Sequence, residues 1–237
     1  MSRSNNTDIK NPATKFIEWS GSKGIFKHYD KESETDIIIK LPFRFLILDC
    51  LSCIRGYSDA DQSGFWSNEI RSTKTDELVV RTKKGICFKG LYENLAGARD
   101  CTGAKYCQSV YVAILEGKDY KIACLQFTGA ALGSWIDFRK KNKVYEGAVE
   151  VAEMIEGKKG ATVYQIPVFK MIPTKPETDE VAKKLDAELQ EYFTLYLNKP
   201  KHEEVAPEKI IDEPQSNEPI ISDCDPLDVD DGNDLPF

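Results

Sequence analysis

Val110-Tyr111-Val112-Ala113-Ile114-Leu115-Glu116-Gly117-Lys118-Asp119-Tyr120-Lys121-Ile122-Ala123-Cys124-Leu125-Gln126-Phe127 decides the fold class. Two apolar runs rich in β-branched and aromatic residues flank a short polar turn containing glycine, the pattern of a β-hairpin. Outward from it, the same kind of run recurs. Toward the N-terminus lie Phe16–Trp19, Gly24–Tyr29, Asp36–Lys40, Phe43–Leu48 and Leu78–Arg81; toward the C-terminus lies Thr162–Phe169. Short strands joined by glycine-rich turns predict a mainly β fold of barrel or sandwich type.

Three helices interrupt the strands. One is expected at Leu91–Arg99. A second runs over Ala130–Lys141, with Leu132, Trp135 and Ile136 on one face and Arg139, Lys140 and Lys141 at its end. In the third, Val181, Leu185, Leu189, Tyr192 and Tyr196 recur at steps of three and four residues, the spacing of an apolar helical stripe. Thr174 and Glu177 are spaced as a capping box before it. The resulting map has a disordered start over 1–14, a β body over 15–172, a C-terminal helix over 173–198 and a disordered tail over 199–237.

The tail assignment rests on composition. After Pro200 the chain carries twelve acidic residues against two basic ones, and its only aromatic is the last residue. Such a segment cannot bury enough apolar surface to offset the entropy of ordering. It also conceals the charge of the rest. The whole chain is −7, but the tail accounts for −10, leaving a body of +3. A mildly basic body with an acidic tail points toward nucleic acid.

Other classes fit poorly. No run approaches the ~18–20 apolar residues of a membrane helix, and Met1–Asn11 lacks the apolar segment of a secretory signal, so a soluble cytoplasmic protein is expected. Seven cysteines, an odd number, do not read as a disulfide framework. Cys50 and Cys53, with Cys101, Cys107 and His28, could assemble a zinc site, but five residues between the second pair is wide for a knuckle, and buried thiols are the expectation. No phosphate-binding loop or nucleophile elbow is present, and there are only two histidines, His28 and His202. Neither catalysis, a metal nor a cofactor is expected.

The chain closes on Asp230-Asp231-Gly232-Asn233-Asp234-Leu235-Pro236-Phe237. Physically this is an acidic tether with an apolar hook, where an aromatic ring and a free carboxylate share one residue. This end resembles the C-terminal tip of bacterial single-stranded-DNA-binding proteins, in which aspartates precede Ile-Pro-Phe. Leu235 stands in place of Ile, and Gly232-Asn233 interrupts the acidic run. The region from Lys15 to Phe138 also looks like phage proteins of that class. The resemblance implies an OB-like barrel that binds single-stranded DNA without sequence preference. It further implies a tip (Asp230, Asp231, Asp234, Leu235, Pro236, Phe237) that recruits replication, recombination and repair proteins, and a tail that competes with DNA. A different β-barrel or a sandwich is the alternative fold. A scaffold or virion-assembly protein with a solubilising tail is the rival function, and homo-oligomers are compatible with either.

Single-strand binders stack bases on aromatic faces and hold phosphates with cations. Aromatic and basic residues interleave along the body, and ten of them form the candidate DNA-contact set: Lys27, Tyr29, Arg55, Tyr57, Trp66, Arg71, Lys74, Lys83, Lys84 and Lys89. Trp66 and Tyr57 lead it because their stretch, Gly56–Asn68, is otherwise polar, and Trp66 is expected in an exposed loop.

Overall fold

The computed structural model describes residues 10–59 and 62–198. They form a mainly β fold of eleven strands, two α-helices and two short 3₁₀ turns. The strands are β1 (Lys15–Ser20), β2 (Ile25–Asp30), β3 (Thr35–Ile39), β4 (Phe43–Ser58), β5 (Ser63–Ser67), β6 (Leu78–Thr82), β7 (Gly85–Gly90), β8 (Ala104–Glu116), β9 (Asp119–Phe127), β10 (Ala148–Lys159) and β11 (Thr162–Ile172). The helices are α1 (Gly129–Lys141) and α2 (Pro176–Leu197).

The expected hairpin is the centre of the sheet. β8 and β9 pair from Gln108↔Phe127 to Glu116↔Asp119, leaving Gly117-Lys118 as a two-residue turn with Gly117 at φ 66°. Positive φ at the first turn position is what lets the turn follow the twist of the strands, and glycine adopts it without steric cost. Around this hairpin the sheet runs β3-β2-β1-β9-β8-β4-β5-β6-β7, and β10 joins the start of β4 and carries β11. All pairings are antiparallel except β1 with β9.

β4 organises everything else. At sixteen residues it pairs with β10 at its start, with β8 along most of its length and with β5 at its end. Its first half has a bulge between Ile47 and Asp49, which shifts the alternation of faces by one residue. Beyond the bulge, odd residues face one way and even residues the other.

The two faces bury different cores. On one side Phe26, Phe45, Val112, Leu125, Phe127, Trp135, Val149 and Phe169 pack with α1 laid across them. On the other, Leu48, Leu51, Tyr111, Ile122 and Cys124 receive Leu189 and Phe193 of α2. Both of these helix residues are fully buried, each contributing about 1.5–3 kcal/mol. A third, smaller cluster of Ile54, Phe65, Ile70, Leu78, Val80 and Cys101 fills the far end, under β5–β7.

Several expectations need correction. The ordered chain begins before residue 15, since Ala13 is buried, Asn11 Nδ2 donates to the Tyr111 hydroxyl and Thr14 N donates to Ile122 O. The expected helix at 91–99 is instead a pair of 3₁₀ turns, Tyr92–Gly97 and Arg99–Cys101. The capping box of α2 does not form. Lys175 is the N-cap, Pro176 opens the helix, and Thr174 Oγ1 donates to Asp179 Oδ1 at 2.6 Å. Trp66 lies in a strand, β5, and is half-buried rather than in an exposed loop. The acidic tail and its tip, Asp230 to Phe237, lie outside the described residues.

Candidate nucleic-acid interface

Four strands place one row of side chains across the sheet. Register pairs Lys105 of β8 with Arg55 of β4, Arg55 with Trp66 of β5, and Trp66 with Arg81 of β6. Directly opposed residues of antiparallel strands share a face. The result is one indole with a guanidinium on either side and an ammonium beyond, spanning three strand intervals, or about 14 Å. Arg81 is in turn paired with Ile86 of β7, an exposed isoleucine. Tyr57 lies one row further along β4, opposite Gly64.

The local sequence explains why the row can form. Ile54, Phe65 and Val80 are buried in the far cluster, so their neighbours Arg55, Trp66 and Arg81 must face the other side of the pleat. Gly56 and Gly103 let β4 and the start of β8 approach. A Cβ at Gly56 would collide with Gly103 O, and one at Gly103 with Tyr57 O. The cations come from positions 55, 81 and 105, so nothing in the local sequence marks them as a set.

On this same face the row borders a polar network at the end of α2. Tyr111 donates its hydroxyl proton to Glu69 Oε2 at 2.8 Å, and Glu69 N donates to the Tyr196 hydroxyl at 3.2 Å. Burial pushes the Glu69 carboxyl above the usual carboxylate range, against the pull of the Ser109 and Tyr111 hydroxyls and of Arg55. Arg55 thus has a carboxylate nearby, yet its Nε is buried without a hydrogen-bond partner. A buried donor with no acceptor is costly, and the nearby Glu69 carboxyl offsets part of that cost by its Coulombic pull.

The ten sequence-derived residues divide between several places. Arg55, Tyr57 and Trp66 come together, and Lys83 and Lys84 occupy the β6–β7 turn just past Arg81. Lys89 sits on β7, with Nζ 3.7 Å from Glu77. Lys74 is exposed in the β5–β6 connection. Arg71 is engaged elsewhere: it pairs with Asp49 at 2.9 Å, donates to Gln190 Oε1 and lies over the Phe193 ring, fastening α2 to the sheet. Lys27 and Tyr29 are on β2, separated from β5 by four strands in the sheet order. Lys27 is paired there with Glu18 and Asp36, whose carboxylates outweigh burial and raise its pKa. Neither Lys105 nor Arg81 is among the ten, although the register places both in the row.

The cysteines sort by face as well. Cys50 looks toward α1, near Tyr145 and Arg139, whereas Cys53 opposes Cys107 on the α2 side. The two therefore cannot share one metal ion. Among the described residues, no group of three or more His, Cys, Asp or Glu could hold a metal, and no helix is long and apolar enough to cross a membrane. No family model, curated protein or solved structure matches this chain.

Proposed function

We propose that the body is an OB-like module that binds single-stranded DNA without sequence preference across the Lys105–Arg55–Trp66–Arg81 row. That row carries the reading. An indole between cations offers a stacking face for a base beside charges for the flanking phosphates, the combination single-strand binders use. The OB-like assignment draws support from the path β1-β9-β8-β4-β10-β11, which encloses the larger aromatic core. Among the described residues no strand ladder closes this path, but its ends are tied where Gln165 N donates to Gly21 O and Trp19 Nε1 donates to Gln165 O.

Phosphate neutralisation makes the affinity fall with salt. A log–log slope of roughly −0.7 is expected per phosphate engaged. Lys105→Gln should make the slope shallower by about that amount, and binding should prefer oligo-dT to duplex. Titrations at several salt concentrations, followed by tryptophan quenching, measure both. A slope unaffected by Lys105→Gln, or tighter binding to duplex, rejects the row as the site. No binding at all would favour the scaffold reading.

We also propose that the acidic continuation of the chain competes with DNA. α2 ends at Leu197, with Tyr196 hydrogen-bonded to Glu69, three residues from Trp66. Beyond Pro200 the chain carries −10. Covalent tethering gives effective concentrations of order millimolar, so DNA would compete with a tail that docks on the row. Removing Lys201–Phe237 should tighten DNA binding, most at low salt where screening is weakest, and abolish capture of replication or recombination partners. Removing Phe237 alone should spare the competition and lose the partners. Equal DNA affinity for full-length and shortened chains would end the proposal of competition.

A further inference from the structure

We propose that Cys87 and Cys101 are a reversible dithiol–disulfide site, oxidised by a hydroperoxide that reaches Cys87. Cys87 lies on β7 and Cys101 closes the Arg99–Cys101 turn, with their sulfurs 3.3 Å apart and the Cys101 thiol donating to the Cys87 sulfur. A disulfide needs about 2.05 Å between sulfurs, so a small rotation of either side chain closes the gap. Cys87 is half-exposed, whereas Cys101 is buried. A cleft of about 470 Å³ reaches Cys87 between the β6–β7 turn and this 3₁₀ turn, lined also by Lys84, Arg99, Asp100 and Thr102.

The asymmetry assigns the roles. Burial, reinforced by the adjacent Cys87 sulfur, pushes the Cys101 thiol up to about 12. Cys101 therefore keeps its proton, which it directs at the Cys87 sulfur, and Cys87 is the sulfur that the cleft exposes to an oxidant. The Cys87 thiolate attacks a peroxide oxygen; the O–O bond breaks, the departing hydroxide takes up the proton that Cys87 had released and leaves as water, and Cys87 becomes a sulfenic acid. The Cys101 sulfur then attacks the Cys87 sulfur; the S–S bond forms and a second water leaves with the Cys101 proton. Two thiols lose two electrons and one hydrogen peroxide becomes two waters. A reducing dithiol reverses the change.

Other cysteines set the contrast. Cys53 and Cys107 also face each other, across β4 and β8, but they are 1% and 0% exposed and Cys124 beside them is equally buried. An oxidant has no access to them in the folded protein. The proposal is independent of DNA binding and holds or fails whatever ligand the row takes.

The test uses the full chain. Folded protein is treated with hydrogen peroxide, blocked with N-ethylmaleimide, digested and mapped by mass spectrometry. The expected product is a Cys87–Cys101 cross-linked peptide, lighter by two hydrogens and lost on treatment with dithiothreitol. Cys101→Ser should leave Cys87 as a sulfenic acid that dimedone traps, and Cys87→Ser should give neither species. A cross-link through Cys53, Cys107 or Cys224, no cross-link in the folded wild-type chain, or a dimedone adduct on Cys101 in Cys87→Ser overturns the proposal. The wild-type map decides the matter even if a variant fails to fold.

Discussion

Trp66→Ala should weaken binding to oligo-dT by about 1–3 kcal/mol, roughly 5- to 150-fold, if one base stacks on the indole. Trp66 stands between Arg55 and Arg81 in the ladder, so its loss removes the stacking surface while both cations remain. The salt slope should accordingly stay unchanged as affinity drops, which separates stacking from charge. Trp66→Phe should recover part of the loss because a smaller ring still offers a π-face. The fold should persist, since the strand pairs through its backbone and its buried anchor is Phe65, 3% exposed on the opposite face. Circular dichroism and thermal melting check that point. Lys27→Gln is the matched control: four strands lie between its site on β2 and β5 in the sheet order, and affinity should not move. A folded Trp66→Ala protein with wild-type affinity would remove the indole from the interface, and an equal loss in Lys27→Gln would move the site to β2.

How much of this was legible without coordinates depends on how local the signal is. The β8–β9 hairpin was fully readable because both strands and their turn lie in one stretch and glycine takes the one conformation that needs it. The α2 stripe was readable for the same reason, although Phe193, buried with Leu189, falls beside the stripe rather than on it. β5 was missed because Ser63, Gly64 and Ser67 look like loop residues. Ser67 belongs in the ladder all the same, its hydroxyl accepting from Ile54 N and donating to Asn68 O. β10 was missed because glutamates interrupt its apolar residues. It is held as a strand by β4 on one side and β11 on the other, a tertiary effect that outweighs local propensity.

The candidate site shows the same division more sharply. Trp66 could be singled out from its surroundings, but for the wrong reason: a polar neighbourhood was read as a loop when it was a strand, with Ser63 buried and Ser67 bonded to its neighbours. Arg71 resembled a DNA contact by composition, and the fold shows it bridging Asp49, Gln190 and Phe193. Lys105 had no local feature to recommend it. It joins the row only because the bulge between Ile47 and Asp49 fixes which residues of β4 share a face, and a register shift of one residue would have sent the whole set into the core.

Trp135→Ala should cost about 3–5 kcal/mol of stability, the largest effect expected of any substitution considered for this protein. The Trp135 indole is 0% exposed, with the rings of Phe127, Phe138 and Phe169 between 5.3 and 5.8 Å away. Those rings belong to β9, α1 and β11, so the cavity would open where three elements meet. Close-packed neighbours on separate elements relax only in part, so most of the void would remain. A polar penalty adds to it. Trp135 Nε1 donates to Gln108 Oε1 at 3.1 Å, and Gln108 is itself buried. After truncation Arg139 would be its remaining donor at that oxygen. Since whole domains are held by only about 5–15 kcal/mol, the melting temperature should fall by roughly 6–20 °C. Urea unfolding provides the measurement, and a loss under about 1 kcal/mol would mean that the α1 interface is not the packed core described. Affinity for oligo-dT, measured well below the melting range, should stay near wild type, because Trp135 lies on the side of the sheet opposite the row. Trp66→Ala should show the reverse pattern, with binding lost and the fold kept. The Trp66→Ala pattern could not result if the row were only a solvated margin of the core.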